Sequence, residues 1–248
     1  MKFLYFVGTA GSGKSTLVKA YKDWLDCAEI SSMIVNLDPG SDTLPYEASV
    51  DIREWISLGD VMSEYKLGPN GAQIVATDLM AVNIKKITDI LDVEETDYVL
   101  MDTPGQLELF AFRQSSDVII NAFGKDRSAV VYLVDPALCK TPNGFVSNMV
   151  LSSLVQFRLN LPMINVVTKL DVLSKEEEAR ITNWFEDLDI LHNSLLEDDS
   201  DSQTIVGMEL YKALESIGVF GEIHMTSAIE NVGLEDIYRM TGLSEEKI

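Results

Sequence analysis

The sequence predicts an α/β fold in which a mainly parallel central sheet is covered by helices on both faces. Short β-branched apolar segments alternate along the 248 residues with longer segments of helical periodicity. The first apolar segment runs directly into a glycine-rich turn, which a helical pattern follows. Parallel strands need long crossover connections, and the helical segments can supply them. The predicted strands are residues 2–7, 32–37, 98–101, 129–134, 163–167 and 223–225.

The helices predicted between these strands follow from apolar residues that recur at helical spacing. No internal repeat or Pro/Gly-rich linker divides the chain, so we expect one domain over residues 1–248. Two insertions are expected, around residues 51–91 and 190–220. The second is expected to hold a helix and a solvated loop at its acidic run. Pro142, Asn143 and Gly144 predict a loop before an apolar helix. The predicted helices are 14–25, 72–91, 146–159, 175–187 and 234–240.

Composition excludes several classes of function. The chain has 40 acidic and 19 basic residues, so its formal charge is −21, which disfavours a general binder of nucleic-acid phosphates. No apolar run approaches the length of a membrane span, and the apolar start leads into glycines rather than a signal-peptide cleavage site. Two cysteines and two histidines build neither a disulfide framework nor a zinc site. We expect a cytoplasmic protein without direct nucleic-acid or membrane contact.

A phosphate-binding loop is the strongest motif in the sequence. Residues 8–15 match the P-loop pattern Gly-x-x-x-x-Gly-Lys-Ser between a predicted strand and a predicted helix. Glycines let backbone N–H groups curl around phosphate oxygens, and the helix dipole adds to the positive field. Lys14 would neutralise the β- and γ-phosphates, Ser15 would bind Mg²⁺, and Thr16 would support the α-phosphate. The predicted phosphate-binding residues are Gly11, Ser12, Gly13, Lys14, Ser15 and Thr16. The fold prediction is therefore a three-layer P-loop NTPase.

A second motif, which begins with an aspartate, follows the predicted strand 98–101. Asp102 opens the segment Asp-Thr-Pro-Gly-Gln, at the carboxyl end of that strand. A carboxylate there can reach the magnesium shell, and Gly105 can offer its backbone N–H to a γ-phosphate. The predicted magnesium ligands are therefore Ser15 and Asp102, and loss of the γ-phosphate would release the loop.

A nucleobase site is predicted where two further strands end. The segment Thr168-Lys169-Leu170-Asp171 follows strand 163–167. The Asp171 carboxylate can accept hydrogen bonds from N1–H and the exocyclic amine of guanine, a donor pair that adenine lacks. Lys169 could lay its methylene stem over the base, and the Ser227-Ala228 backbone could donate to guanine O6. The sequence therefore predicts GTP as substrate, GDP as product and Mg²⁺ as cofactor.

The order of these motifs resembles that of small GTPases, with Thr168 standing where Asn is usual. Gly68-Pro69-Asn70, together with the segment Asn-Leu-Asp-Pro-Gly at residues 36–40, resembles the signature of the GPN-loop GTPases over nearly the whole chain. This resemblance implies a homodimer, or a heterodimer of paralogues, in which Asn70 approaches the phosphates held by the partner. It also implies a role in assembling or localising protein complexes such as RNA polymerase.

Three residues compete to position the attacking water. We favour Asp38, which follows a predicted strand and precedes Pro-Gly, because a carboxylate there can hold the nucleophile. Gln106 has the spacing of the water-orienting glutamine of familiar GTPases. Glu108 could orient the water or the partner's Asn70, but an acidic residue is also favoured in the first turn of a helix. The candidate catalytic residues are Asp38, Gln106, Glu108 and Asn70.

Two other functions share much of this pattern. A P-loop kinase of small molecules would use the same phosphate loop, but it would need clamping arginines, which are scattered here, and would not use the Thr-Lys-Leu-Asp segment. A nucleotide-gated scaffold with negligible turnover would use every residue named above. Only the turnover rate, with and without a partner, separates the scaffold from the enzyme.

Overall fold

A computed structural model describes residues 1–197, 202–216 and 223–241. Its centre is a seven-stranded sheet in the order β3-β2-β4-β1-β5-β6-β7, and all neighbouring strands pair in parallel. This confirms the predicted α/β fold and sheet. The strands are β1 (Lys2–Gly8), β2 (Ser32–Asn36), β3 (Val50–Asp51), β4 (Tyr98–Asp102), β5 (Ser128–Val134), β6 (Met163–Val167) and β7 (Ile223–Met225).

Helices cover both faces of the sheet. Within the described residues they are α1 (Lys14–Cys27), α2 (Leu58–Tyr65), α3 (Pro69–Leu91), α4 (Leu107–Phe110), α5 (Gln114–Phe123), α6 (Pro142–Leu159), α7 (Lys175–Glu186), α8 (Leu188–Glu197), α9 (Ser202–Ser216) and α10 (Leu234–Thr241). In this part of the chain every helix is too short or too polar to cross a lipid bilayer.

The alternation of side chains along β1 divides the apolar interior into two cores. Phe3, Tyr5 and Val7 enter a large core that also takes buried residues from α3, α5, α6 and α7. Leu4 and Phe6 enter a smaller core on the other face, formed with α1 and α10. Because β1 lies at the centre of the sheet and is buried on both faces, the loop that follows it has a rigid base.

Two helices begin earlier than the apolar pattern predicts, and both begin with proline. The loop predicted at Pro142–Gly144 is wrong, because α6 begins at Pro142 and the Thr141 hydroxyl accepts a hydrogen bond from Gly144 N at 3.1 Å. Helix α3 begins at Pro69 rather than at residue 72. Proline suits the first helical position because its fixed φ is helical and no N–H is required there. Asn70 therefore lies in the first turn of α3.

The first expected insertion contains α2, a helix that the sequence did not predict, and the second contains two helices where one is expected. Helix α2 precedes α3 within residues 51–91, and α8 and α9 lie in the region of residues 190–220. Glu197 ends α8 and Ser202 begins α9. The acidic loop predicted between them lies at residues 198–201, outside the described residues.

Candidate functional site

The phosphate loop connects the central strand β1 to α1. Gly11 and Gly13 adopt left-handed backbone conformations, with φ of 78° and 94°, which glycine tolerates best. Gly13 is the N-cap of α1 and supplies no side-chain cap, so first-turn amides remain available to an anion. A Cβ on Gly8 would lie 2.8 Å from the backbone oxygen of Leu133, so glycine there lets the loop begin close to β5.

Lys14 lies between the phosphate loop and the segment after β4. Its buried ammonium donates to the backbone oxygens of Gly8 and Thr9, each at 2.9 Å, and of Gly105 at 3.1 Å. Burial lowers the pKa of Lys14 to about 8, although two nearby carboxylates act to raise it. The cation is thus held where phosphate oxygens would meet it, next to the loop that carries Gly105.

Asp102 ends β4, beside β1, and is 1% exposed. Its Oδ2 accepts a hydrogen bond from the Tyr46 hydroxyl at 2.5 Å, whereas its buried Oδ1 has no hydrogen-bond partner among the described residues. Burial raises the pKa of Asp102, and the hydroxyls of Ser15 and Tyr46, which face the carboxylate, oppose that shift. A carboxylate oxygen without a donor and a nearby hydroxyl are the hard ligands that Mg²⁺ prefers, so the predicted metal residues fit this ion.

The segment between β2 and β3, residues 37–49, is here named the Asp38 loop. The backbone N–H of Asp38 donates to Oδ1 of the buried Asn36 at 3.0 Å. The Asp38 carboxylate accepts from Gly40 N at 2.9 Å through Oδ1 and from Gly105 N at 3.1 Å through Oδ2. The structure therefore brings Asp38 to the backbone amide that the sequence assigns to the γ-phosphate.

A small polar network connects the Asp38 loop to the ends of β2 and β3. Asp51 Oδ1 accepts from the Asn36 side chain at 2.9 Å, and the Asp51 carboxylate pairs with the Arg53 guanidinium. Arg53 also donates to the backbone oxygen of Ser41 at 2.9 Å. Burial acts to raise the pKa of Asp51, but hydrogen bonds from Arg53 and Asn36 hold that pKa below its ordinary value.

The other candidate catalytic residues lie at the rim of this site. Gln106 is exposed, and its side-chain amide donates to Gln73 Oε1 on α3 at 3.3 Å. Glu108 is exposed in the first turn of α4, and its side chain makes no hydrogen bond in the part of the chain that the structure describes. Asn70 is also exposed, three residues before Gln73. The structure thus brings Asp38 to Gly105 but brings neither Glu108 nor Asn70 into contact with them.

The end of β6 is tied directly to the phosphate loop. Thr168 is buried, and its hydroxyl donates to the backbone oxygen of Ser12 at 2.7 Å. Lys169 has a left-handed φ of 56°, and its ammonium pairs with Asp135 Oδ2 at 2.9 Å. A Cβ on Gly13 would lie 3.8 Å from Lys169 Cε, so the lysine stem lies alongside the phosphate loop.

Asp171 faces the loop that follows β7. Its Oδ1 accepts a hydrogen bond from the Ser227 hydroxyl at 2.6 Å. The backbone N–H of Ser227 donates to Val232 O at 3.1 Å, which leaves the amide of Ala228 as the donor for a base. Thr16, exposed on the first turn of α1, faces the same space. A cavity of about 200 Å³ lies here, lined among others by Gly13, Thr16, Lys169, Asp171, Ala228 and Ile229.

Sequence reasoning missed three residues that shape the site. Asp135 directly follows β5, at the same edge of the sheet where Asp102 ends β4 and Thr168 follows β6, so its position at a strand end was a usable signal. Tyr46 and Arg53 offered no such signal. They lie in an irregular loop and the short turn after it, and only the tertiary fold brings them to Asp102 and the Asp38 loop.

Comparisons with known proteins agree with this geometry. A family model described as "Conserved hypothetical ATP binding protein" matches residues 6–243. The chain is 36% identical over 234 residues to the GPN-loop GTPase PAB0955 of Pyrococcus abyssi, covering 94% of this chain and 92% of that protein. It is 30% identical to GPN-loop GTPase 1 of Dictyostelium discoideum and to GPN-loop GTPase QQT2 of Arabidopsis thaliana, each match covering 97% of this chain.

The chain spans 60% and 63% of the lengths of the Dictyostelium and Arabidopsis relatives. Among solved structures, the apo crystal structure of the Pyrococcus abyssi GTPase superposes with a TM-score of 0.87 at 33% identity. That match covers 97% of this chain and 96% of the other. The same fold therefore extends over nearly the whole length of both chains.

Proposed function

The chain belongs to the GPN-loop GTPase family, and on this premise we propose that it binds GTP with Mg²⁺ and hydrolyses it to GDP and phosphate. One observation carries the proposal: Lys14 and Asp38 meet at the two backbone polar groups of Gly105. A γ-phosphate bound at that point would face a cation, a backbone donor and a carboxylate able to orient water. These are the parts that phosphoryl transfer to water needs.

Each part of the chemistry has a residue in this proposal. Lys14 and the first-turn amides of α1 hold the phosphate charge, and Ser15 and Asp102 hold Mg²⁺, which supplies further charge neutralisation. Asp38 accepts a hydrogen bond from the attacking water and orients it. We favour Asp38 over Gln106 because the Gln106 amide already contacts Gln73 across the loop, and over Glu108 because Glu108 lies in solvent.

Asp171 supports guanine as the base, although the matching family model is described by ATP binding. Ser227 holds one oxygen of the carboxylate at the edge of the cavity beside Lys169. A carboxylate fixed in this way can accept hydrogen bonds from N1–H and the exocyclic amine of guanine. The exocyclic amine of adenine would instead face the backbone N–H of Ala228, so two donors would meet.

The test is binding and hydrolysis of GTP and ATP by the wild-type protein and by Asp171→Asn. We expect turnover of GTP, little binding of ATP, and a loss of guanine preference of about 100-fold in the variant, because two charge-assisted hydrogen bonds are weakened. Asp189→Asn, an exposed change of the same kind on α8, is the matched control. Equal use of GTP and ATP by the wild type would contradict guanine recognition.

We further propose that the protein is a dimer and that Asn70 acts on the phosphates of the partner. Asn70, Ile74, Asp78 and Val82 recur at four-residue intervals on α3, so they form one stripe of that helix. Ile74 is 41% exposed and Val82 is 76% exposed. A stripe that begins at an exposed asparagine and carries two exposed apolar side chains is suited to an interface with a second copy of the chain.

The cellular role proposed for this switch is assistance in the assembly or localisation of protein complexes such as RNA polymerase. Family membership supports this role, and a nucleotide-gated scaffold with negligible turnover is the competing form of it. Single-turnover hydrolysis, measured with and without added client, separates the two. A rate that no client raises above the uncatalysed level favours the scaffold.

A further inference from the structure

The Asp38 carboxylate accepts a hydrogen bond from the backbone amide of Gly105, the same amide to which a γ-phosphate would bind. Its Oδ2 accepts from Gly105 N at 3.1 Å, while its Oδ1 remains on Gly40 N at 2.9 Å. The carboxylate therefore bridges the Asp38 loop to the segment after β4. A single backbone N–H donates one strong hydrogen bond, so Asp38 and a phosphate oxygen cannot both take it at full strength.

The other polar group of Gly105 is also held by a residue of the phosphate site. Gly105 O accepts from the Lys14 ammonium at 3.1 Å. A diphosphate can draw Lys14 away through its β-phosphate, but it has no group for the Gly105 amide. A triphosphate can bind both the Lys14 ammonium and the Gly105 amide. The two contacts of Gly105 therefore respond differently to GDP and to GTP.

We propose that Asp38 is a specificity-determining residue that sets the affinity for GTP relative to GDP. Its carboxylate competes with the γ-phosphate for the Gly105 amide, so GTP must displace it and GDP leaves it in place. Two anions close together repel each other, which adds to the cost of the displacement. This inference rests on the proposed function, and it adds that the water-orienting carboxylate is released only when the γ-phosphate arrives.

The decisive variant is Asp38→Asn, which keeps the size of the side chain and removes its charge. The Gly40 and Gly105 amides meet different oxygens of Asp38, and in asparagine one of these positions becomes an NH2 group, which cannot accept a hydrogen bond. We expect the affinity for the non-hydrolysable analogue guanosine 5′-(β,γ-imido)triphosphate to rise about tenfold, and that for GDP to change by less than about twofold. Equilibrium titration calorimetry in Mg²⁺ measures both. An unchanged or lower ratio of the two affinities overturns the proposal.

Asp42→Asn is the matched control for charge. Asp42 lies in the same loop, is exposed, and its carboxylate makes no hydrogen bond within the described residues. We expect this variant to leave the ratio of the two affinities unchanged. If Asp42→Asn tightens the GTP analogue as much as Asp38→Asn does, the loss of any nearby negative charge explains the result and the proposal fails.

A second measurement keeps the test independent of the variant's fold. The amide resonance of Gly105 in the wild-type protein should move on addition of the GTP analogue and stay nearly in place on addition of GDP. Equal shifts with both nucleotides overturn the inference alone, since guanine-nucleotide binding has then been observed. A wild-type protein that binds neither nucleotide overturns the proposed function, and this inference with it.

Discussion

Asp51 shows how one partly buried carboxylate determines the position of a functional loop. It receives the Asn36 amide and the Arg53 guanidinium, and Arg53 reaches on to the backbone oxygen of Ser41. Since Asn36 also holds the backbone of Asp38, the chain of contacts runs from β2 and β3 to the candidate catalytic carboxylate. Removal of the Asp51 charge should therefore affect both stability and its dependence on pH.

We predict that Asp51→Asn lowers the free energy of unfolding by about 1–2 kcal/mol at pH 7. The pKa of Asp51 is depressed in the folded protein, so its stabilising effect is present above the pKa of about 3.9 in the unfolded chain. The effect is lost as pH falls through the lower, folded value. Urea unfolding at pH 7 and pH 3 should therefore show a difference between variant and wild type that shrinks in acid.

The control for this prediction is Asp23→Asn. Asp23 pairs with Lys19 one helical turn away, but its side chain is 58% exposed, and such surface pairs contribute little. A constant difference between Asp51→Asn and the wild type from pH 7 to pH 3 would show that the Asp51 charge has no part in the stabilisation.

At the residue scale, the sequence predicted positions better than contacts. Asp38 and Gly105 were both assigned to the γ-phosphate because they follow strand ends, and β2 and β4 are neighbours in the sheet, so the two residues meet. The contact between them was not predictable, because it depends on the path of two irregular loops. Tyr46 was missed for the same reason, since nothing in its local sequence indicates that its hydroxyl reaches Asp102.

At the scale of elements, the Asp38 loop is fixed to the sheet at several points. One end is held through Asp38 at Gly105, and the other through the Tyr46 hydroxyl at Asp102. Burial and the nearby Asp102 charge raise the pKa of Tyr46, so its phenol stays neutral and donates. The loop therefore contacts the segment that would bind the γ-phosphate and a predicted magnesium ligand at the same time.

We predict that Tyr46→Phe lowers the free energy of unfolding by about 1–3 kcal/mol in the absence of nucleotide and Mg²⁺. The reason is that the buried Asp102 carboxylate loses a donor while Oδ1 already lacks one. Chemical denaturation in a chelating buffer measures the change. Tyr65→Phe, whose ring is 47% exposed, is the control and should be neutral. Equal stability of Tyr46→Phe and wild type would mean that the hydroxyl does not stabilise Asp102.

The sequence predicted buried strands and helices more accurately than short or polar ones. Six of the seven strands found in the described residues were predicted to within two residues, because buried parallel strands are continuous apolar runs. Val50–Asp51 was missed because two residues carry no pattern. The early starts of α3 and α6 were missed because proline was interpreted as a loop signal rather than as a first helical residue. Helix α5 begins with polar residues and was also missed.

At the scale of the whole molecule, net charge opposes the proposed dimer. Each chain carries a formal charge of −21, so two copies repel at long range, and salt screens that repulsion. The attraction must therefore come from short-range contacts such as those of Ile74 and Val82, the exposed apolar side chains of the stripe on α3. Arg113 on the N-terminal side of α5 pairs with Asp78 of the stripe at 2.8 Å, which neutralises one acidic residue where the chains would meet.

We predict that Asn70→Ala slows single-turnover GTP hydrolysis at least about tenfold and leaves GDP affinity unchanged. The Asn70 side chain is exposed and makes no hydrogen bond in the described part of its own chain, so the folded subunit should tolerate its loss. Stopped-flow phosphate release measures the rate, and calorimetry measures the affinity. Ser63→Ala, an exposed polar-to-alanine change on neighbouring α2, is the control.

Mixing two impaired variants decides whether Asn70 acts across the interface. Lys14→Ala removes the phosphate-binding cation but keeps Asn70, whereas Asn70→Ala keeps its own nucleotide site. If subunits exchange freely, half of the dimers in an equal mixture combine the two variants, and each combined dimer has one complete site. Activity should then return to about a quarter of wild type, because one site in four is complete. If Asn70 acts within its own subunit, no mixed dimer contains a complete site and activity stays at the residual level of the separate variants. Recovery on mixing would therefore establish that the second copy of the chain completes the site.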